Sequence, residues 1–253
     1  MPLDVRAAVR AGDVRLQFQP EFDLASRSLL AVEALARWHD PQSGVRETES
    51  FIGIAEENGE IVEFGDWALR TACAQYAGWR AQFPSTGLVL RVNASPLQLS
   101  QPAFAGTVAQ VLAEHAMHPA DLCIEVTEVS TPSDAAVMGS SLRALRASGV
   151  RIALDDFGTG RNGLWRLRHD FWDMLKIDRG FVGELSRGTR DSVILEAVVT
   201  MARALGLDIV AEGIETETAL AELQRIGVRR GQGYLLGAPA DATTIGALLA
   251  EAS

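Results

Sequence analysis

Six segments of this 253-residue chain end on side chains that bind cations or phosphate: Glu33, Asn93, Glu125, the adjacent pair Asp155 and Asp156, Lys176, and Glu212. Each follows or closes a short apolar run. Side chains alternate across a strand, so Glu33, Leu35 and Arg37 share a face, as do Arg91 and Asn93, Cys123 and Glu125, and Ala153 and Asp155. Carboxylates gathered at one place repel one another unless positive charge lies among them. Oxygen donors from Asp, Glu and Asn suit Mg2+ or Mn2+. A carboxylate bridging two such ions, about 3.5–4 Å apart, prepares a phosphodiester for in-line displacement. Asp155 and Asp156 fit that task if one points inward while the next reaches the rim. Four histidines, none clustered, give little support for a histidine-based zinc site. Taken singly, each residue has a plainer reading. Asp155 or Glu212 could cap the helix that follows, and Lys176 could lay its stem on the sheet with its ammonium in water. Six unrelated caps at six successive strand ends are a weaker account than one shared site.

The elements that must position these residues alternate along the chain. Strands are expected at Arg15–Gln19, Leu29–Arg37, Gly87–Asn93, Asp121–Val126, Val150–Asp155, Met174–Asp178 and Asp208–Ala211, with an eighth near Val228–Arg230. Helical patterns fall at Glu49–Asn58, Ile61–Trp79, Pro102–Met117, Ser133–Ala147, Asp191–Ala204, Thr216–Ile226 and Ala240–Ala250, with Gly149, Gly206 and Gly227 as stop signals. Strand–helix–strand units about 30 residues apart predict a parallel sheet. Eight of them in one chain of this length predict an α/β fold, a modified TIM (β/α)8 barrel. Only a short turn around Ala25–Ser28 separates the first two strands, so the first is expected to pair antiparallel. In a barrel the polar strand ends converge at the C-terminal rim. A doubly wound sheet is the alternative, but its glycine-rich phosphate loop belongs after the first strand, and here Gly158 and Gly160 follow two acids in mid-chain.

Composition narrows the function classes. The formal charge is −10, and no Lys/Arg-rich run supplies a face for duplex nucleic acid. No apolar stretch approaches the roughly eighteen residues of a membrane span, so no membrane contact is expected from this segment. The charged N-terminal residues lack a signal-peptide core. Cys73 and Cys123 each lie in an apolar stretch and read as free buried thiols. No linker-like tract divides the chain, so residues 1–253 are expected to form one domain, working alone or as the terminal portion of a larger regulator.

The ordered motifs resemble the EAL domain family over nearly the whole chain. They run from Phe18-Gln19-Pro20 through the signature Glu33-Ala34-Leu35-Ala36-Arg37-Trp38, Val92-Asn93-Ala94-Ser95 and Glu125-Val126-Thr127-Glu128. Ala153-Leu154-Asp155-Asp156-Phe157-Gly158-Thr159-Gly160, Lys176-Ile177-Asp178-Arg179, Val210-Ala211-Glu212-Gly213-Ile214-Glu215 and Gly231-Gln232-Gly233-Tyr234 follow. The tripeptide alone means little; the ordered series is specific. The resemblance implies hydrolysis of cyclic-di-GMP to linear pGpG with two Mg2+ or Mn2+ ions, one held by Glu33, Asn93, Glu125 and Asp155, the other by Asp155, Asp156 and Glu212. It implies that Lys176 positions or activates the attacking water, that Gln19, Leu35 and Arg37 meet the substrate, and that Gln232 and Glu215 support the centre. Glu128 is implied to organise the loop starting at Phe157, which borders a homodimer interface. A sensory or GGDEF domain outside the chain, and a cytoplasmic setting, belong to the same expectation. Three departures stand out: Arg161-Asn162-Gly163 replaces an aromatic residue and two serines, Phe171 replaces a proline, and Thr48 and Gly53 stand where prolines are usual. They put loop rigidity, dimer coupling and rate in question while leaving the ligand set intact.

Overall fold

The computed structural model describes residues 5–40, 44–47, 49–127, 135–159, 167–185 and 189–251. Its strands are β1 (Val14–Asp23), β2 (Leu29–Asp40), β3 (Gly44–Glu47), β4 (Val89–Asn93), β5 (Leu122–Thr127), β6 (Arg151–Phe157), β7 (Met174–Ile177), β8 (Asp208–Ala211) and β9 (Arg230–Gly231). The pairing order is β1-β9-β8-β7-β6-β5-β4-β2, and β1 also pairs with β2, so eight strands close into a barrel. All neighbouring pairs from β2 through β4 to β9 are parallel. β1 is antiparallel to both of its neighbours, as the short first turn predicts. That turn is held by Asp23, whose Oδ1 accepts from the backbone amides of Ala25 and Ser26. β3 stands outside the barrel, folded back antiparallel on the end of β2. The doubly wound alternative is excluded.

Alternation sorts each strand between two environments. Ala31, Val89, Cys123, Ala153, Met174 and Val210 form one buried layer inside the barrel. The residues between them, such as Val32, Leu90, Leu122, Ile124, Ile152, Leu154, Leu175 and Ile209, join a larger cluster with the surrounding helices. Those helices are α1 (Val5–Ala11), α2 (Glu49–Glu57), α3 (Ile61–Gln82), α4 (Pro96–Leu99), α5 (Phe104–Glu114), α6 (Ala135–Ala147), α7 (Arg179–Glu184), α8 (Thr189–Ala204), α9 (Glu217–Arg225) and α10 (Ala242–Glu251). Cys73 and Cys123 are free and buried. Among the described residues no helix is long and apolar enough to cross a membrane.

Several boundaries differ from the sequence expectation for identifiable reasons. The last strand begins at Arg230 rather than near Val228 because Val228 still belongs to the close of α9, its amide donating to the Leu223 carbonyl. Asp178 leaves β7 to cap α7, accepting from the Gly180 amide. α1 was not anticipated; its charged face hid the buried pair Val5 and Ala8. α4 was also missed, although Ser95 and Gln98 form a reciprocal capping box around Pro96. The departure at Phe171-Trp172 is absorbed by packing: both rings are buried and meet edge-on at 4.8 Å. Asp173 beside them accepts from the Ile152 amide and from Arg146. Thr48 and Arg161-Asn162-Gly163 lie outside the described residues.

Candidate metal centre

Each polar strand end identified in the sequence arrives at one place. Asn93 and Glu125 are directly paired across β4 and β5. Glu212 and Gln232 prolong β8 and β9, their amides donating to the carbonyls of Ile177 and Ala211. Lys176, on β7, sits at the middle and is fully buried. Its Nζ lies 2.7 Å from Glu125 Oε2, 2.8 Å from Glu212 Oε1, and 3.1 Å from both Glu33 Oε2 and Asp155 Oδ1. The solvated-lysine reading is thereby corrected: the head group is buried inside the barrel and held by four carboxylates instead of lying in bulk solvent. The helix-cap readings of Asp155 and Glu212 fail as well, because both side chains turn inward to Lys176, and the cap of α9 is Thr216.

Amide side chains complete the ring. Asn93 Nδ2 donates to Glu33 Oε1 at 2.9 Å, while Gln232 Nε2 donates to Glu33 Oε2 at 2.7 Å and Glu212 Oε1 at 2.9 Å. Asp156 reaches the same centre through an irregularity in the β6–β7 ladder between Leu154 and Phe157. Its backbone is left-handed, with φ of 53°, unusual for a residue other than glycine. Such a bulge re-aims a side chain that alternation would send outward. Adjacent acids can therefore serve one site, as the sequence pair requires.

Electrostatics follow from this crowding. Burial works against charge on Lys176, but Asp155, Glu125, Glu212 and Glu33 together hold its ammonium well above the ordinary lysine value. Burial lifts Glu125 well above the usual carboxylate range, and Glu33 and Asp155 add to it against the pull of Lys176. Asp155 is raised for the same first reason. Glu212 is pushed up to about 8 and Asp156 to about 6, in both cases chiefly by burial and then by neighbouring acids. Glu33 is the exception. Burial would raise it, but Lys176 and hydrogen bonds from Gln232, Lys176 and Asn93 leave it below its ordinary value. One ammonium thus faces four carboxylates, and the deficit of positive charge is borne as raised proton affinity.

The donor chemistry fits divalent cations. Glu33, Glu125 and Asp155 bring one carboxylate oxygen each within 4.8 Å of one another, and Asp155, Asp156 and Glu212 do the same. Asp155 belongs to both groups. Every donor is an oxygen, which favours hard cations over zinc bound by sulfur or imidazole.

Not every expected residue joins the cluster. Gln19 lies opposite Glu33 in the β1–β2 register and is half-buried. Leu35 and Arg37 continue the inward face of β2 beyond Glu33, and Arg37 Nη1 donates to the Ala36 carbonyl. Glu215 is exposed, past the positive-φ turn at Gly213. Glu128 lies outside the described residues. Sequence reasoning placed Arg91 on the face of Asn93 without giving it a partner, and it passed over Glu21. The two are fully buried and joined by a 2.6 Å ion pair. A charged residue in mid-strand between two apolar ones was the available signal.

The EAL domain family model matches residues 3–239. The chain belongs to the EAL domain family. Among curated relatives, the bifunctional diguanylate cyclase/cyclic di-GMP phosphodiesterase MucR of Pseudomonas aeruginosa is 39% identical over 236 residues, covering 93% of this chain and 34% of MucR. A signaling protein of Caulobacter vibrioides is 39% identical over 244 residues, covering 96% of this chain and 30% of its own length. The chain thus spans about a third of the length of these relatives. A solved structure, the PaMucR phosphodiesterase in complex with c-di-GMP, aligns with a TM-score of 0.88 at 38% identity, over 96% of this EAL domain and 98% of that chain. The EAL enzyme Bd1971, in a form bound to cAMP and cyclic-di-GMP, aligns with a TM-score of 0.92 at 28% identity, over 97% of this chain and 67% of that one.

Proposed function

We propose that this EAL domain is a metal-dependent phosphodiesterase that hydrolyses cyclic-di-GMP to linear pGpG. The observation that carries the reading is the acidic shell around buried Lys176, in which more carboxylate is gathered than one ammonium can neutralise. In this reading Glu33, Asn93, Glu125 and Asp155 hold one Mg2+ or Mn2+ ion, and Asp155, Asp156 and Glu212 hold a second. The pair supplies an activated water and neutralises phosphoryl charge. Burial and neighbouring acids raise Glu212 to about 8, so without metal its carboxyl holds a proton at neutral pH that metal binding must displace, whereas Asp156, raised to about 6, is already mostly ionised there. Lys176, fixed by the ring, keeps its charge throughout and orients the attacking water while stabilising the phosphoryl oxygens. Gln232 holds Glu33 and Glu212 in place through one amide group. Gln19, Leu35 and Arg37 meet the substrate along the wall formed by β1 and β2, with Arg37 toward its phosphate. Glu215, outside the ring, and Glu128 act in support.

The relatives lend weight to the substrate: MucR is named as a cyclic di-GMP phosphodiesterase, and its EAL structure carries c-di-GMP. The same reading takes residues 1–253 as one catalytic domain in a cytoplasmic setting, as a homodimer or beside a sensory or GGDEF domain elsewhere in a longer protein. Incubating Mn2+-loaded protein with cyclic-di-GMP and resolving the products by chromatography tests the activity. Linear pGpG that disappears on chelation is the expected result. Tight binding with no product would reassign the domain to a receptor.

A further inference from the structure

Beneath the metal centre the barrel interior is mostly apolar, yet it holds a buried arginine. Arg91 occupies β4 two residues before Asn93, on the same inward face, among Val89, Cys123 and Met174. Its Nε donates to Glu21 Oε2 at 2.6 Å. Its Nη1 lies 3.7 Å from Glu125 Oε1, an atom with no hydrogen-bond partner among the described residues. Glu125 therefore lies between two cations, hydrogen-bonded to Lys176 above through Oε2 and facing the Arg91 guanidinium below through Oε1 without a hydrogen bond. The line continues downward: Glu21 Oε1 faces Arg230 Nε at 3.0 Å, and Arg230 Nη1 faces Asp208 Oδ2 at 3.3 Å. Charges alternate in sign from Lys176 down through the interior to Arg230, and the series ends on exposed Asp208 at the mouth.

A purely structural account of this column is weak. A buried ion pair adds little net stability over apolar residues of similar volume, and the adjacent interior positions are already apolar. What an arginine supplies and a methionine does not is a fixed cation under one oxygen of a carboxylate. Its charge attracts Oε1 downward and so favours the carboxylate orientation that presents Oε2 upward. Groups that orient a metal-binding carboxylate in this way typically contribute about 10–100-fold to metal affinity.

We propose that Arg91 is a positioning residue that sets the orientation of Glu125 for metal binding, with Glu21 holding Arg91 in place. The proposal rests on reading Glu125 as a metal ligand. The test is the double variant Glu21→Gln/Arg91→Met, which removes one charge of each sign, so the net charge of the layer is unchanged. Free Mn2+ is followed by electron paramagnetic resonance during titration, without nucleotide. The expected outcome is a dissociation constant about 10–100-fold weaker than wild type in protein shown by circular dichroism to be folded. Arg230→Met, lower in the column, is expected to lower the unfolding midpoint and leave Mn2+ affinity unchanged. Unchanged or tighter Mn2+ binding in the double variant overturns the proposal. So does an equal loss in Arg230→Met, because the effect would then not depend on contact with Glu125. If the double variant does not fold, Arg91→Gln, which keeps a donor toward Glu21 but no charge toward Glu125, carries the same expectation. Failure of the wild type to cleave cyclic-di-GMP would sink the activity and leave the Mn2+ result standing.

Discussion

The two ends of the barrel interior treat charge in opposite ways. Toward the N-terminal end, Glu21, Arg91, Arg230 and Asp208 pair in alternating sign, and the column balances itself. Toward the C-terminal end, Glu33, Glu125, Asp155 and Glu212 converge on Lys176, and Arg91 approaches that group only at Glu125 Oε1. Glu21 and Arg91 are as deeply buried as the acids around Lys176, so depth does not separate the two levels. Balance does. A column whose charges cancel needs nothing from outside, whereas a surplus of carboxylate is stable only while protons or cations occupy it.

The largest expected effect comes from unbalancing the balanced end. Glu21→Ala leaves Arg91 without its closest anion and is expected to lower unfolding free energy by about 3–5 kcal/mol, read from urea midpoints; a change near zero would show that the lower column is dispensable. At the other end, Lys176→Met is expected to reduce turnover by roughly 100- to 1000-fold, about 3–4 kcal/mol, in metal-loaded protein whose thermal midpoint has recovered. Recovery of stability without recovery of rate separates its chemistry from its neutralising role; full turnover would remove it from the mechanism. Asp155→Asn should act in the reverse sense on stability. Because Asp155 is held above its ordinary value by burial, a neutral isostere is expected to raise the metal-free unfolding midpoint while weakening Mn2+ binding. A lower metal-free midpoint would contradict the repulsion argument.

The smallest effect is a slope with pH. Glu212 and Asp156 start from ordinary values of 4.5 and 3.8 and are raised on folding to about 8 and about 6. Raised carboxyls favour the folded state while protonated, and that contribution fades as pH climbs through the folded value. The metal-free midpoint should therefore fall between about pH 5 and about pH 8, and Mn2+ affinity should tighten over the same interval as the ligands lose protons. Glu33, held low, has its effect only below its ordinary 4.5 and does not cancel the trend. Midpoints measured in chelator across that range would decide it, and a rising midpoint would be the wrong sign.

Much of this was legible in the chain because strands are periodic and a barrel converts period into position. Glu33, Asn93, Glu125, Asp155 and Lys176 lie on inward faces counted off the sequence, and the short turn at Ala25–Ser28 gave the antiparallel start. Asp156 was legible only in part, since alternation sends it outward and the bulge that returns it depends on a left-handed backbone no propensity foretells. The pairing of Arg91 with Glu21 was hidden for another reason: the partners lie on different strands 70 residues apart, and neither flanking sequence names the other. α1 and the β2–β3 hairpin were missed because short elements carry too few apolar residues to show a period.

The antiparallel first strand has a consequence for assembly in time. β1 closes the barrel only by pairing with β9, and the Phe18 amide donates to Ala240 near the far end of the chain while its carbonyl accepts in return. Gln232, 199 residues beyond Glu33, spans that same seam. Contacts so distant in sequence form late, because the entropy of closing the intervening chain precedes any gain from them. A nascent chain that has made every strand through β8 still lacks the staple between Glu33 and Glu212. Ring closure and completion of the acidic ring are one event, so partly folded chains do not display the finished centre.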